Sequence, residues 1–326
     1  MLPPWEMKRR EYVPPLIMVQ LNLKGLFSLS KVLLLNLGAI REMNKAGKRN
    51  VYHRPKPTYS IPSYTVGMKE YASEERYLRP TLFCNCRAPE VVALAQEFGA
   101  SEKSAVEYAT AAFEFAKRKI ILEICPLDDV DQVLRRGTGT CIHKISVFIA
   151  LCRAAGLPAR YKFFALTMLD TWLQPSLDHA PLMRQWYDAM GFFMLHGEGE
   201  VCIDGKWVTA DVGAEPERQA ASDLPVTKLG EDSIGLWLFA VPGTIFRRES
   251  IPFGLGLGSQ ILMKRVVPNQ VAGLNIGILE QIETGRKIIQ DSGGETAYDS
   301  LARQKRMKRN PMIDMKDTKG IVFGEQ

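Results

Sequence analysis

A cysteine in this 326-residue chain occurs where a protein commonly activates a thiol. Cys141 follows the glycine-bearing segment 136–140 and opens an apolar run that predicts a helix, with Thr140 as its N-cap. Unpaired amides and the positive end of the helix dipole face such a residue, and both stabilise a thiolate. The same amides can bind the oxyanion that develops during acyl transfer. The sequence therefore predicts a nucleophile at Cys141.

A histidine and an aspartate follow at positions that suit a base and its orienting partner. His196 opens a strand-like run, and Asp211 closes the next one, 15 residues later. Asp204-Gly205 between them is a strong signal for a tight hairpin turn. The turn brings both residues to the same end of one hairpin. Asp211 could then hold the tautomer of His196 that accepts the thiol proton, as an activated nucleophile requires.

The elements that must position these residues follow from periodicity and turn signals. Gly156 suits a left-handed helix stop and Pro158 cannot continue a helix, so the cysteine helix should end before them. Helices followed by strands indicate an α+β fold. The predicted helices span 88–98, 101–121 with Ser101 as N-cap, and 141–155; the predicted strands span 159–166, 201–203 and 207–210.

The segment GTGTCIHKISVFIALCRAAGLPARY, residues 137–161, resembles the signature of the transglutaminase-like superfamily within the papain-like cysteine enzymes. That family joins a Gly-x-Cys helix start to a helix end of the form Arg-Ala-Ala-Gly-x-Pro-Ala-Arg. A strand-initial histidine, a turn, Trp-Val and an aspartate follow. The resemblance covers roughly residues 77–211, and segment 77–81 is similar to prokaryotic members. The matching positions are Cys141, Arg153 to Arg160, His196, Trp207-Val208 and Asp211.

The resemblance implies an α+β papain-like core in which the helix bearing Cys141 packs on an antiparallel sheet bearing His196 and Asp211. It also implies acyl transfer at an amide of a protein, a peptide or a small molecule through a thioester. Likeness to prokaryotic members favours hydrolysis, as in a peptidase or amidase. The alternatives are transamidation or amide synthesis with an amine acceptor, and a catalytically inactive binding module. Neither a metal nor an organic cofactor is implied.

This sequence departs from the family pattern at two places. The residues after His196 are Gly197-Glu198-Gly199-Glu200, where many members have an aromatic residue. Val212-Gly213 follows Asp211 where many members have proline. These changes concern the pocket wall and therefore the substrate preference. The backbone amide of Cys141 is the only oxyanion donor that the sequence suggests.

Other cysteines and histidines are interpreted as structural. His143 competes with His196 for the role of base, but residues two apart on a helix do not face each other. His179 falls in a predicted loop that is either a lid or solvent-facing. A buried, inert Cys141 remains the alternative to a nucleophile. Core positions are expected for Cys152 and Cys202, and neither Cys84 nor Cys86 has a partner set for a metal.

Charge is distributed unevenly along the chain. Residues 1–60 hold 11 Lys or Arg against 3 Asp or Glu, and residues 301–326 hold 7 against 3, so the centre of this +6 chain is acidic. Without interleaved aromatic residues, the basic run 303–309 predicts a solvated tail and no specific nucleic-acid binding. Sparse cysteines predict reduced thiols and a cytoplasmic location.

Three regions are predicted along the chain. Residues 1–63 form a basic extension with a linker from residue 44, residues 64–245 the catalytic domain, and residues 246–326 a C-terminal extension with a helix over 275–290. The apolar segment 16–40 is too often interrupted by polar residues to span a membrane. Its favoured interpretation is a segment docked on the body, and the alternative is an interfacial anchor giving peripheral membrane association.

Overall fold

The computed structural model describes residues 15–45, 56–168, 177–190, 193–231, 238–240, 245–251 and 260–308. Its helices flank one main sheet. In chain order the helices are α1 Pro15–Leu35, α2 Leu37–Lys45, α3 Pro89–Glu97, α4 Ala105–Arg118, α5 Val130–Arg136, α6 Cys141–Ala154, α7 Pro181–Met190, α8 Pro216–Ala221, a π-helical turn Leu262–Val266, α9 Pro268–Asp291 and α10 Glu295–Lys308.

The main sheet is antiparallel and has five described strands. Its order is β5-β4-β3-β6, and β7 also pairs with β3. A separate parallel pair, β1 with β2, lies just before the cysteine helix α6. The strands are β1 Ile121–Leu122, β2 Thr138–Gly139, β3 Ala159–Met168, β4 Phe193–Ile203, β5 Lys206–Ala210, β6 Leu238–Ala240 and β7 Phe246–Arg248.

The α6 helix forms where the sequence predicts it. The Thr140 side chain accepts a hydrogen bond from the amide of His143, and Gly156 adopts a φ of 78° after the last turn. Every residue from Ile142 to Ala154 is buried. One face of the sheet, including Tyr161 and Phe163, packs with this helix in the main hydrophobic core. The core therefore fixes where the first residue of α6 lies relative to the sheet.

The predicted hairpin is also confirmed. Asp204 and Gly205 have φ values of 50° and 76°, the positive pair that a tight hairpin turn of the I′ type requires. The register places Gly199 of β4 opposite Ala210 of β5. Asp211, one residue beyond β5, consequently lies beside the part of β4 that carries His196.

Charged side chains occupy the sheet face opposite α6. Lys162 donates to Glu198 at 2.7 Å, and Arg160 donates to Glu200 at 2.7 Å while stacking 3.8 Å from the Trp207 ring centroid. These cross-strand pairs join β3 to β4. All four of the paired side chains are buried, so each ion pair stabilises one register of the two strands.

Two local predictions are wrong. Helix α4 begins at Ala105, with Ser104 and not Ser101 as its N-cap, because Ser104 and Glu107 form a reciprocal capping box. The basic run 303–309 is not a solvated tail over its described part. Residues 303–308 are helical, and Arg303 binds Glu231 and Asp299.

The chain ends pack on the body. Helix α1 confirms the docked interpretation of segment 16–40 by packing on α7, and α9 extends the predicted helix 275–290 at both ends. Half of the predicted linker, residues 46–55, lies outside the described residues. Among the helices that the structure describes, none has the length and apolar character needed to cross a membrane.

Candidate active site

Cys141, His196 and Asp211 meet around Gly213. A methyl group placed on Gly213 would lie 3.3 Å from His196 Cε1, 3.5 Å from Asp211 Oδ1 and 3.5 Å from Cys141 Cβ. The three side chains, contributed by α6, β4 and the end of β5, thus surround one point. The structure brings together the three residues that the sequence singles out, which are separated by up to 70 positions.

Hydrogen bonds hold the Asp211 carboxylate in place. Its Oδ1 accepts from the Gly213 amide at 3.2 Å, and its Oδ2 accepts from Thr227 Oγ1 at 3.2 Å. Lys117 Nζ donates to Thr227 Oγ1 at 2.8 Å and to the Asp211 carbonyl at 3.2 Å. Asp211 is fully buried, so these contacts fix its position beside His196.

The imidazole of His196 lies in a buried setting. Burial lowers its pKa to about 4, although the Asp211 carboxylate raises it; the Arg218 cation lowers it further. The Phe164 ring packs edge-on against it, with centroids 5.6 Å apart. The neutral imidazole, the form that accepts a proton, therefore predominates at pH 7.

The thiol of Cys141 experiences opposing effects. Burial raises its pKa to about 11, and the Asp211 charge also raises it, whereas the Ile142 amide, Arg218 and Lys144 lower it. The sequence analysis predicts that the start of α6 lowers the pKa of this thiol. The amide contribution is present, but burial exceeds it, so the resting pair is a neutral thiol beside a neutral imidazole.

Buried cations behind the thiol were missed by the sequence analysis. Lys144 Nζ binds Glu215 Oε1 at 2.6 Å, with both side chains at most 1% exposed. Burial lowers the pKa of Lys144, and that of Lys117 to about 8. Both lysines occupy positions on the apolar faces of α4 and α6. That placement could have indicated buried ion pairs, because lysines are rarely buried without partners.

Helix α9, which belongs to the predicted C-terminal extension, forms one side of the site. Ile278 and Ile282 pack with Leu122 in a small cluster that also contacts Cys141. Gln281 Oε1 accepts from Arg218 Nε at 2.9 Å, and both side chains are 3% exposed. The C-terminal extension therefore contributes directly to the surroundings of the thiol.

Asn275 fastens α9 beside the parallel strand pair. Its side chain accepts from the Ile124 amide at 2.7 Å and donates to the Ile124 carbonyl at 3.1 Å. Further along, Gly285 packs against the Glu217 carbonyl so closely that a side chain there could not fit. These contacts fix the part of α9 that lies over Cys141.

The remaining histidines have structural contacts. His143 Nε2 lies 2.8 Å from the Asp128 amide nitrogen, and its Nδ1 lies 2.9 Å from the Thr140 amide nitrogen and 3.0 Å from Thr140 Oγ1. His143 therefore caps α6. His179 is partly exposed and pairs with Glu280 at 2.8 Å.

Most of the other cysteines are buried thiols. Cys84, Cys86 and Cys152 are fully buried, whereas Cys202, predicted to be in the core, is only partly buried because it faces away from α6. Within the described ranges, no group of three or more His, Cys, Asp or Glu residues is arranged to hold a metal ion.

Gly213→Ala should separate catalysis from folding. The added methyl group would occupy the point between the three side chains and displace the His196 ring by a few tenths of an ångström. Since misplacing reacting groups by about 1 Å can cost roughly 10²-fold in rate, this smaller shift should cost about tenfold. We expect kcat/KM to fall by about that factor with little change in the urea midpoint. Gly38→Ala, which adds a methyl group in open space, is the matched control and should leave kcat/KM unchanged.

Comparison with known proteins places the site within a family. A sequence model of the transglutaminase-like superfamily matches residues 92–212, a range that includes all three residues around Gly213. No curated protein sequence matches the chain.

Among solved structures, the chain is similar to one described as "a Putative Cysteine Protease from Cytophaga hutchinsonii", with 18% identity and a TM-score of 0.32. The match covers 53% of this chain and 52% of that protein, so the chain spans about half the length of the structure it matches. A TM-score this low does not establish a shared arrangement of elements. The family match and the cysteine helix packed on an antiparallel sheet together show that residues 92–212 are a domain of the transglutaminase-like superfamily, with its α+β papain-like fold.

Proposed function

We propose that this chain is a cysteine-dependent enzyme that cleaves an amide through a thioester intermediate. The observation that carries the proposal is the convergence of Cys141, His196 and Asp211 around Gly213. Cys141 is the nucleophile, His196 the general base and then acid, and Asp211 the residue that orients His196.

The first half of the reaction forms the acyl-enzyme. His196 accepts the proton of the Cys141 thiol as sulfur attacks the amide carbon, and the imidazolium forms next to the Asp211 carboxylate. Amides at the start of α6 donate hydrogen bonds to the developing oxyanion, and the nearby Arg218 cation favours the same negative charge. The imidazolium then protonates the leaving nitrogen, the C–N bond breaks, and a thioester remains on Cys141.

Water completes the reaction in the favoured form. His196 takes a proton from water as its oxygen attacks the thioester, and the thiol leaves with a carboxylic acid as product. An amine attacking in place of water would give a new amide, and this transamidation is the alternative outcome.

A peptide-amide library with a fluorescent leaving amine tests the proposal, in buffer alone and with an added primary amine. We expect release of the leaving amine in buffer, loss of detectable release in Cys141→Ala, and a Cys141 thioester visible by mass spectrometry. Cys202→Ser, which changes another partly exposed cysteine, is the matched control. Release that survives in Cys141→Ala would refute the proposal, and product formation only with the amine would favour transamidation.

A further inference from the structure

Over residues 23–35, helix α1 presents most of its large apolar side chains to the outside of the molecule. Its buried stripe is Gly25, Ser28 and Val32, spaced i, i+3 and i+7. The outward side chains are more than 60% exposed: Leu23, Leu26, Phe27, Leu34 and Leu35. A helix that packs on a water-soluble body normally turns its large apolar residues inward, so this arrangement is reversed.

The described contact between α1 and α7 is partly polar. The Asn36 side chain, at the end of α1, donates to Gln185 of α7 at 2.9 Å and to the Val32 carbonyl at 2.7 Å. Leu23, Leu26, Phe27 and Leu34 lie together on the opposite side because residues three, four and seven apart share a helix face. We call these four residues the outer face of α1.

The sequence that includes the outer face is strongly basic. Lys31 and Arg41 are exposed, and residues 1–60 hold 11 Lys or Arg against 3 Asp or Glu. Anionic lipid attracts such segments, by about 1 kcal/mol for each basic residue near the surface. An exposed apolar helix face and neighbouring basic residues are two features that interfacial helices share.

We propose that the outer face of α1 binds the surface of an anionic lipid bilayer, with its leucine and phenylalanine side chains among the acyl chains and the basic residues at the headgroups. Charge favours this occupant over a second copy of the chain, because two copies would bring two strongly positive segments together. The contact is independent of the proposed amide chemistry.

Sedimentation of the full chain with vesicles tests this proposal. We expect binding to phosphatidylcholine vesicles that contain phosphatidylserine, much weaker binding to phosphatidylcholine alone, and a decrease with added salt. The double variant Phe27→Glu, Leu34→Glu should bind at least about tenfold more weakly, since two apolar side chains that insert among the acyl chains become charged. Val106→Glu, Leu301→Glu is the matched control, because these apolar residues are exposed on other helices, α4 and α10.

Three results would overturn the proposal: no binding to phosphatidylserine vesicles, equal loss in the control variant, or lipid-free dimerisation that the α1 variant abolishes. The last would identify the outer face as a self-association surface. Circular dichroism and the urea midpoint establish that the α1 variant is folded. Because neither variant changes a residue that contacts Gly213 or the cluster of Leu122, Ile278 and Ile282, amide cleavage in solution should be the same in both variants.

Discussion

Replacing His196 with alanine is expected to lower kcat/KM for the amide substrate by roughly 10⁴-fold, a loss typical of removing one member of a catalytic triad. Burial raises the pKa of the Cys141 thiol to about 11. At pH 7 the thiol is therefore protonated and needs a base to accept its proton. The neutral imidazole of His196, one of the groups around Gly213, is placed to serve as that base.

The pH dependence follows from the same two groups. Below about pH 4 the His196 imidazole is protonated and cannot accept the thiol proton, so kcat/KM should fall as pH decreases through that value. Toward pH 11 the thiol ionises without forming an imidazolium, and protonation of the leaving amine is lost. We therefore expect a broad plateau between these limits in stopped-flow or endpoint assays.

His179→Ala is the control for the His196 variant, because it removes a partly exposed histidine whose partner is Glu280. It should retain wild-type kcat/KM. A loss of less than about tenfold in His196→Ala would contradict the assignment of His196 as the base. Iodoacetamide alkylation of Cys141, followed by mass spectrometry, gives an independent measure of the thiol pKa in both proteins.

The parts of the fold that the sequence predicts correctly have local causes. Thr140 and Gly156 mark the two ends of α6, and Asp204-Gly205 forces the hairpin that carries His196 toward Asp211. Each of these signals acts within a few residues. The proximity of all three candidate residues could be inferred because a recognisable family pattern accompanied them.

What the sequence did not reveal depends on contacts between distant segments. Lys144 and Glu215 are 71 positions apart, and Arg218 meets Gln281 at a separation of 63. No local pattern indicates which acidic residue will neutralise a buried lysine. The incorrect prediction of Ser101 as the N-cap of α4 has a different cause. The local capping signal Ser104-x-x-Glu107 was present in the sequence.

The catalytic role of the three residues and the boundaries at residues 63 and 245 remain predictions. Two contacts concern the predicted boundary at residue 245. Strand β7 begins at Phe246 and pairs with β3 of the main sheet, and α9 packs on α8 next to the site. The C-terminal region therefore completes the surroundings of Cys141, whatever its evolutionary origin.

Glu215→Gln is expected to destabilise the protein by about 3 kcal/mol, the cost of leaving a buried charge without its partner. Lys144 is fully buried and binds Glu215 Oε1 at 2.6 Å, and the Leu122 amide donates to the same oxygen at 2.6 Å. Glutamine can still accept from Leu122 while losing the negative charge. The loss should therefore report the ion pair, measured as a shift of the urea unfolding midpoint at constant slope.

Two further variants make this prediction decisive. Glu283→Gln removes an ion pair with Arg286 on the exposed side of α9, where both side chains are more than 50% exposed, and should change stability by less than about 1 kcal/mol. Lys144→Met combined with Glu215→Gln should recover part of the lost stability, because no unpaired lysine then remains. If Glu215→Gln alone were as stable as Glu283→Gln, Lys144 would have to be uncharged in the folded protein, and its cation could not help to stabilise the Cys141 thiolate.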